Sequence, residues 1–313
     1  MKVINLAEPY VKEQIVNQSI VLALGFFDGV HLGHQEVILA AKQKAKQLNC
    51  LLAVMTFDRY PKLAYQNLDE ATVTYLTKTP TKLELFAKLG VDITYVVEFN
   101  QNLVPMKPQE FVDKYMVALH AKCVVAGSDY TYGKPQIANM TTLKDYAQGR
   151  FEIVAVPDKK DQQGRISSTR IRQAIDEGNL QEANFLLGYS YQFGGRVVHG
   201  DARGRTIGFP TLNIAYEKDQ RLLATGVYAV KTKVADNWYY GVANIGHNET
   251  FGDDRQLTVE VYLFDFNQDV YGQDVVVKWC HYLRPTVKFK TVDELIKQLK
   301  NDEIVGRKYF GLK

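Results

Sequence analysis

Apolar residues in the first half of the chain fall in short, nearly continuous runs separated by segments of helical period. The runs at 20–27, 51–57, 93–99, 123–126 and 151–156 are rich in Val, Ile, Leu and Phe, as expected of parallel strands covered on both faces. Between them the spacing predicts a helix over 34–48, with Val37, Ile38, Ala41, Ala45 and Leu48 on one stripe. Two more are predicted over 81–89, opened by a Thr81/Glu84 capping box, and over 108–119. Strand and helix in alternation imply a doubly wound α/β domain. Residues 168–187 read as two connector helices, the first starting at Ser168 or Thr169 and stopping at Gly178, the second capped by Asn179 with Glu182 three residues on. After Gly188 the period becomes two, with strands expected at 192–199, 211–215, 227–234, 238–245, 257–266 and 275–282. Six strands at that spacing predict a small antiparallel barrel, and an amphipathic helix over 292–300, with a Thr291/Glu294 capping box, could close one side of it. The expected domains are 1–187 and 188–313.

A length of 313 residues and a hydrophobic fraction of 46% are enough for two cores and leave no compositional case for disorder. Lys+Arg 38 against Asp+Glu 35 gives a net charge of +3, too balanced for the clustered field that general nucleic-acid binding needs. Cys50, Cys123 and Cys280 stand far apart, so neither a disulfide framework nor a zinc knuckle is written here. The N-terminal residues lack a signal-peptide profile and no apolar run reaches the length of a membrane span. A cytoplasmic protein without membrane or nucleic-acid partners is expected, with a monomer favoured.

The strand at 20–27 ends in GFFDGVHLGH, Gly25 to His34, where a helix begins. The carboxyl end of a parallel strand followed by a helix N-terminus is a phosphate-binding arrangement. Gly29 and Gly33 let the backbone approach a ligand. His31 and His34, spaced i, i+3, can both donate to oxygens of a phosphorus centre gaining charge, although such a pair also occurs as ordinary packing. Further on, GRISSTRIR places Ser167, Ser168 and Thr169 among Arg165, Arg170 and Arg172 at a helix start. Hydroxyls, guanidinium groups and free N–H groups suit a triphosphate or a leaving pyrophosphate; taken alone, the hydroxyls serve equally well as an N-cap. In HGDARGRTIGFPTLN, glycines 200, 204 and 208 with Arg203 and Arg205 form a cationic loop unlike a Walker A loop. Thr211 and Asn213 share one strand face, where a hydroxyl and an amide carbonyl could help hold Mg2+ on nucleotide phosphates. Alternation in TVEVYLFDF turns Val259, Val261 and Leu263 to the barrel interior and Glu260 outward with Tyr262 and Phe264, where Glu260 is either a solvent-facing strand residue or a base.

GFFDGVHLGH with ISSTRIR resembles the nucleotidyltransferase superfamily of HxGH and SSTxxR signatures, and specifically the prokaryotic bifunctional riboflavin kinase/FMN adenylyltransferase family. AGSDYTYGKP, 126–135, is similar to that family's G-x-(D/N)-F-x-F-G segment, and VVHGDARGRTIGFPTLNI, 197–214, to its kinase signature. The resemblance covers essentially the whole chain. It implies a Rossmann-like HxGH domain followed by a six-stranded flavokinase-like barrel with a terminal helix. It implies ATP-dependent phosphorylation of riboflavin to FMN, then adenylyl transfer from a second ATP to FMN, giving FAD and pyrophosphate. The residue roles it implies are catalysis by His31, His34 and Glu260, and ATP contacts from Gly25, Phe26, Phe27, Asp28, Gly29, Gly33, Arg165, Ser168, Thr169 and Arg172 in the first domain. In the second, Gly200, Arg205, Gly208 and Pro210 contact ATP, and Thr211 and Asn213 hold Mg2+ in the form PTLN of the family's PTAN. Asp129, Tyr130 and Tyr132 are the implied flavin contacts.

The chain departs from the family pattern at Tyr130 and Tyr132 (usually Phe) and at Arg59 and Tyr60 before Pro61 (usually Pro-His). It departs also at Tyr189 and Ser190 before Tyr191 and at Asn248 and Glu249 before Thr250 (usually Arg-Pro in both), at Tyr262 (usually His) and at Thr286 (usually Glu). These positions surround the implied flavin contacts and leave the phosphate-handling residues intact, so altered flavin affinity, or an altered balance of the two activities, is expected. The alternatives are a chain with only one of the two activities and a flavin-binding regulator without turnover.

Overall fold

The computed structural model describes residues 1–64, 69, 72–200, 203–247 and 257–313; the departures at Asn248 and Glu249 lie outside them. The chain divides into two compact units, Met1–Ser168 and Thr169–Lys313.

The first unit runs β1 (Lys2–Leu6), β2 (Ile20–Leu24), α1 (Leu32–Leu48), β3 (Leu51–Phe57), α2 (Thr79–Leu89), β4 (Ile93–Val97), α3 (Pro108–Val112), β5 (Ala121–Gly127), α4 (Leu143–Ala147), β6 (Glu152–Val156), then the short strands β7 (Lys160–Asp161) and β8 (Gly164–Arg165). Among the described residues the sheet has six strands in the order β1-β4-β3-β2-β5-β6, and every pair in it is parallel. All five residues of β2, IVLAL, are buried, as a strand covered on both faces requires. On one face α1 buries Val37, Ile38, Ala41 and Ala45.

Several expected boundaries move. The first helix begins at Leu32 with His31 as its N-cap, the His31 side chain accepting from the His34 N–H, so both histidines belong to the helix entrance. α2 begins at Thr79, with a proline in its first two positions and no side-chain cap. Pro80 is pre-set for an N-terminal position, which starts the helix ahead of the Thr81/Glu84 capping box. The helix expected over 108–119 is α only to Val112 and continues as a π-turn over Asp113–Val117. β1, unpredicted, pairs along β4 from Lys2↔Ile93 to Leu6↔Val97.

The second unit has α5 (Ser168–Asp176), which starts on the last residue of the first, then α6 (Leu180–Leu187), β9 (Gln192–Val198), a turn α7 (Arg203–Thr206), β10 (Leu212–Ala215), β11 (Gly226–Val234), β12 (Asn237–His247), β13 (Leu257–Leu263), β14 (Asp274–Arg284) and α8 (Val292–Tyr309). The strands close a barrel in the order β10-β13-β12-β11-β14-β9, and all pairs are antiparallel. Trp279 fills its interior, fully buried, stacked on Phe193 at 5.3 Å and edge-on to Tyr228. The connector helices bond to this unit: Asn184 of α6 donates to the Trp279 carbonyl at 3.0 Å and accepts from the Tyr191 N–H at 2.7 Å. Arg170 of α5 donates through Nε and Nη2 to one carboxylate oxygen of Glu182 on α6, at 3.0 and 2.8 Å.

α8 runs nine residues past the expected end at Lys300. Its second half anchors it: Arg284 on β14 grips the buried Asp302 through two 2.7 Å bonds, and Arg307 pairs with Asp265. A Cβ on Gly306 would lie 2.8 Å from Val242 and 2.9 Å from Phe264, so the helix approaches the barrel wall without a side chain between them. The Thr291/Glu294 cap is present. Among the described residues no helix is long and apolar enough to cross a membrane.

Candidate functional site

In the first unit the turn between β2 and α1 is held in an uncommon backbone conformation. Phe27 (φ 55°), Gly29 (φ 86°) and Val30 (φ 37°) all lie in the left-handed region, which costs about 1–3 kcal/mol at each non-glycine residue unless the surroundings impose it. The surroundings do. Asp28 is buried and accepts from the Leu76 and Thr77 N–H groups at 3.2 and 2.9 Å. The Gly29 N–H donates to Thr77 Oγ1 at 2.8 Å. Ser168 Oγ donates to the Asp28 carbonyl at 2.8 Å, and Gln35 to that of Val30 at 2.9 Å. A Cβ on Gly25 would stand 2.8 Å from the Phe27 ring, so glycine is the residue that leaves that ring its place. The Asp28 carboxylate thus faces backbone amides and tethers the turn to the entrance of α2.

The turn presents two histidines as a stack, His31 against His34 with ring centroids 3.6 Å apart and planes 17° from parallel. Two imidazolium rings could not sit so. Burial, with the Arg165 guanidinium adding to it, holds His31 down at about 4. Burial, then His31, Lys82 and Arg165, holds His34 well below its ordinary value. Both rings are therefore neutral at pH 7. His31 Nδ1 accepts from the His34 N–H at 3.3 Å, which assigns its proton to Nε2 and makes that atom a hydrogen-bond donor. Gly33 lies beside this ring: a Cβ there would be 3.1 Å from it.

Around the stack, Arg165 forms ion pairs with Asp129 and, at 3.2 Å, with Asp158, joining the end of β8 to the segments after β5 and β6. Tyr132 is buried in the core, stacked on Phe111 at 5.7 Å, and half-buried Tyr130 lies 6.5 Å from it. Phe26 contacts Tyr60 and Tyr75 at 5.4 and 6.1 Å. Thr169, exposed, and Arg172, half-buried, lie on α5 in the second unit, where Arg170 is committed to Glu182.

In the barrel, strand register does the assembly. Asn213 of β10 stands directly opposite Glu260 of β13, and Glu260 stands opposite Asn244 of β12, so the three form a row across adjacent strands on one face. Glu260 is half-buried while Val259, Val261 and Leu263 are buried, the outward orientation that alternation predicts. Thr211 precedes β10, just outside the strand ladder. A Cβ on Gly200 would fall 2.3–2.6 Å from the Asn213 amide, so the chain leaving β9 crosses Asn213 only as glycine. Gly204 is pressed to 2.2 Å from the Phe209 carbonyl by the same measure, and Gly208 has φ 85°. The turn containing exposed Arg205 closes on itself through Phe209 N–H to Gly204 O at 2.8 Å and leads into exposed Pro210. Beside Glu260, Tyr262 packs on Phe209 at 5.2 Å, and its hydroxyl donates to Glu303 of α8 at 3.3 Å.

Three residues of these sites carry no sequence motif: Thr77, Lys82 and Asn244. Lys82 is the one with a readable signal, a lysine sharing the stripe of Leu85 and Phe86 once the helix is started at Thr79.

Comparison with known proteins finds a match for each half of the chain. A family profile described as FAD synthetase matches residues 13–170, and one described as riboflavin kinase matches 187–310. The bifunctional riboflavin kinase/FMN adenylyltransferase of Listeria monocytogenes is 50% identical over 311 residues, 99% of each chain. That of Bacillus subtilis is 41% identical over 315 residues, again 99% of each. A crystal structure described as a macrolide-efflux protein from Streptococcus pneumoniae has TM-score 0.87 and 38% identity, covering 97% of this chain and 99% of its own. The chain belongs to the bifunctional riboflavin kinase/FMN adenylyltransferase family.

Proposed function

We infer that this member of the family makes FAD from riboflavin in two ATP-dependent steps, one in each part of the chain. Residues 188–313 transfer the γ-phosphate of ATP to riboflavin, giving FMN and ADP. Residues 1–187 transfer AMP from a second ATP to FMN, giving FAD and pyrophosphate. The observation that carries this reading is the presence in one chain of both constellations, a neutral histidine stack at a strand–helix turn and a carboxylate in register with an asparagine on a barrel.

In adenylyl transfer an oxygen of the FMN phosphate attacks the α-phosphorus of ATP as the bond to pyrophosphate breaks. Neutral His31 and His34 act as hydrogen-bond donors to the oxygens that gain charge, aimed before the reaction begins. They need neither give up nor take a proton. Gly25, Phe26, Phe27, Asp28, Gly29 and Gly33 form the backbone cradle, and Arg165, Ser168, Thr169 and Arg172 steady the phosphates being expelled. Asp129 and Tyr130 offer the flavin a polar group and a ring, with Tyr132 as the packing behind them.

In the kinase step Glu260 accepts the proton of the ribityl 5′-hydroxyl as that oxygen attacks the γ-phosphorus. Gly200, Arg205, Gly208 and Pro210 shape the ATP loop. The hydroxyl of Thr211 and the amide oxygen of Asn213 are hard oxygen donors that fit Mg2+. When bound, that ion neutralises charge on the nucleotide phosphates. The substitutions at Tyr130, Tyr132 and Tyr262 place hydroxyls around the flavin contacts and are expected to tune flavin affinity. The required partners are small molecules, and three separated thiols suit a reducing cytoplasm.

Assaying the purified chain with riboflavin and with FMN separately, in Mg-ATP, tests the reading by chromatography of products. FMN and FAD from the first substrate and FAD from the second are expected. A folded chain that makes only one product, or none, replaces it with the single-activity or the regulator alternative.

A further inference from the structure

Among the described residues Lys82 is the only buried lysine, 1% exposed, and neither reaction step above uses it. Its Nζ donates to the Phe26 carbonyl at 3.2 Å, the Phe57 carbonyl at 3.3 Å and Thr56 Oγ1 at 3.4 Å. It also lies 4.2 Å from the centre of the Phe26 ring. Thr56 Oγ1 in turn donates to the Phe26 carbonyl at 2.9 Å. Each N–H of the ammonium therefore has an acceptor at the carboxyl ends of β2 and β3, where the nucleotide turn begins.

The charge itself is not matched by an ion pair. The carboxylates that face Lys82 are Asp28 and Asp58, and both are engaged elsewhere. Asp28 accepts from the amides of residues 76 and 77, and Asp58 from the Phe99 N–H at 2.8 Å and from Arg59. Burying an ammonium on neutral acceptors is unfavourable compared with an apolar chain of the same length. Packing alone gives no reason for it. The location does: one turn along α2, Phe86 meets the Phe27 ring edge-on at 5.6 Å, and Phe27 meets His34 at 5.3 Å.

We propose that Lys82 is a positioning residue for adenylyl transfer, acting through Phe26 and the histidine stack: it holds the start of the nucleotide turn and sets a positive charge toward His34. This rests on the adenylyl-transfer reading of the first unit. The charged and titratable groups facing the stack are Lys82 from α2, Arg165 from the end of β8, Asp129 from the segment after β5, and the two histidines themselves. Burial first, and then these cations, Arg165 at both rings and Lys82 at His34, disfavour imidazolium, so the rings stay neutral donors while the substrates bring negative charge to them. Burial lowers Lys82 to about 8, so the ammonium is charged at pH 7 and is lost as pH rises through that value.

The test is the pH profile of FAD formation from FMN and Mg-ATP by the full chain, with far-UV circular dichroism and a thermal melt as the fold control. For the wild type, kcat should fall above about pH 8. Lys82→Met should lower kcat at pH 7 by about tenfold to a hundredfold, with KM for both substrates within about twofold, and should remove that alkaline limb. A folded Lys82→Met with wild-type kcat, or one that loses kcat but keeps the limb, overturns the inference. Where the Met variant does not fold, imidazole NMR of the wild type decides: the His34 resonance should keep a neutral shift through the ordinary histidine range and inflect once near 8 as Lys82 loses its proton. A His34 that titrates near 6.5, or shows no inflection near 8, overturns it. A wild type that makes no FAD at all removes the adenylyl-transfer reading and this inference with it, whereas an active wild type with an indifferent Lys82→Met removes the inference alone.

Discussion

The two units build their sites by opposite means. In the first, chemistry is packed into ten consecutive residues, Gly25 to His34, and the backbone is forced through left-handed conformations to present them. In the second, Asn213, Glu260 and Asn244 are ordinary strand residues that meet because three antiparallel strands fall in one register. A strained turn must be clamped from outside, and Asp28, Thr77, Ser168 and Lys82 clamp it. A strand row needs no clamp beyond the ladder, but it depends on what crosses its face. The difference extends to charge. The buried Asp302 of the second unit is matched by a bidentate arginine, whereas the first unit keeps a buried ammonium without an ion pair and two neutral histidines.

The sharpest way to break the comparison is to disable each site in turn. Glu260→Gln should lower FMN formation from riboflavin by about 10²–10⁴-fold and leave FAD formation from supplied FMN intact. His31→Ala should lower FAD formation by about 10²–10³-fold and leave the kinase step intact. Loss of both reactions from either change in a folded chain would mean that the sites are not separate.

A smaller effect is expected at Gly200, where a methyl group would overlap the Asn213 amide. Gly200→Ala should cost about 1–3 kcal/mol of local overpacking, read as a raised KM for ATP in the kinase assay alone. An unchanged KM would show that the chain can cross Asn213 with a side chain in place.

Acid separates the units by stability. A histidine lowered to about 4, as His31 is, binds its proton later in the folded state than in the unfolded chain. Its contribution is therefore complete above about pH 6.5 and is lost as pH falls toward 4. His34 acts in the same direction. His199, His247 and His281 of the second unit are exposed or half-buried. In calorimetry at stepped pH the melting transition of the first unit should move down between these limits and that of the second should stay; parallel movement of the two would contradict the assignment.

The smallest predicted effect is at the start of α8. Thr291→Ala removes the side chain that caps the Glu294 N–H at 3.2 Å, worth about 1 kcal/mol. It should lower the second transition by about 3 °C and leave the first where it is.

How far the sequence could be read follows the same division. The histidine pair, the glycines around it and the barrel strands were legible because a turn motif and a period of two are local patterns. The orientation of Glu260 was legible too, since alternation alone sends Val259, Val261 and Leu263 inward. The start of α2 departs from the local signal: the capping box stands at Thr81, but Pro80 favours the first helical turn and the helix opens at Thr79. The end of α8 was missed because its last nine residues are held by Arg284 and Asp265, which no helical period reveals. β1 was missed because only two of its five residues are buried, too few for an apolar run.

The amino-acid order alone determined the alternation of strand and helix, the closed antiparallel second half, and the residue types that meet phosphate. Those depend on neighbours within a few positions, whose contacts every conformation of the chain brings near. Only the tertiary structure decided that Asp28 ties down its own turn, that Asn213 stands across from Glu260, and that the ammonium of Lys82 ends at the Phe26 carbonyl. Such pairings join segments tens of residues apart, and they are settled by which buried polar groups find partners once the cores have closed.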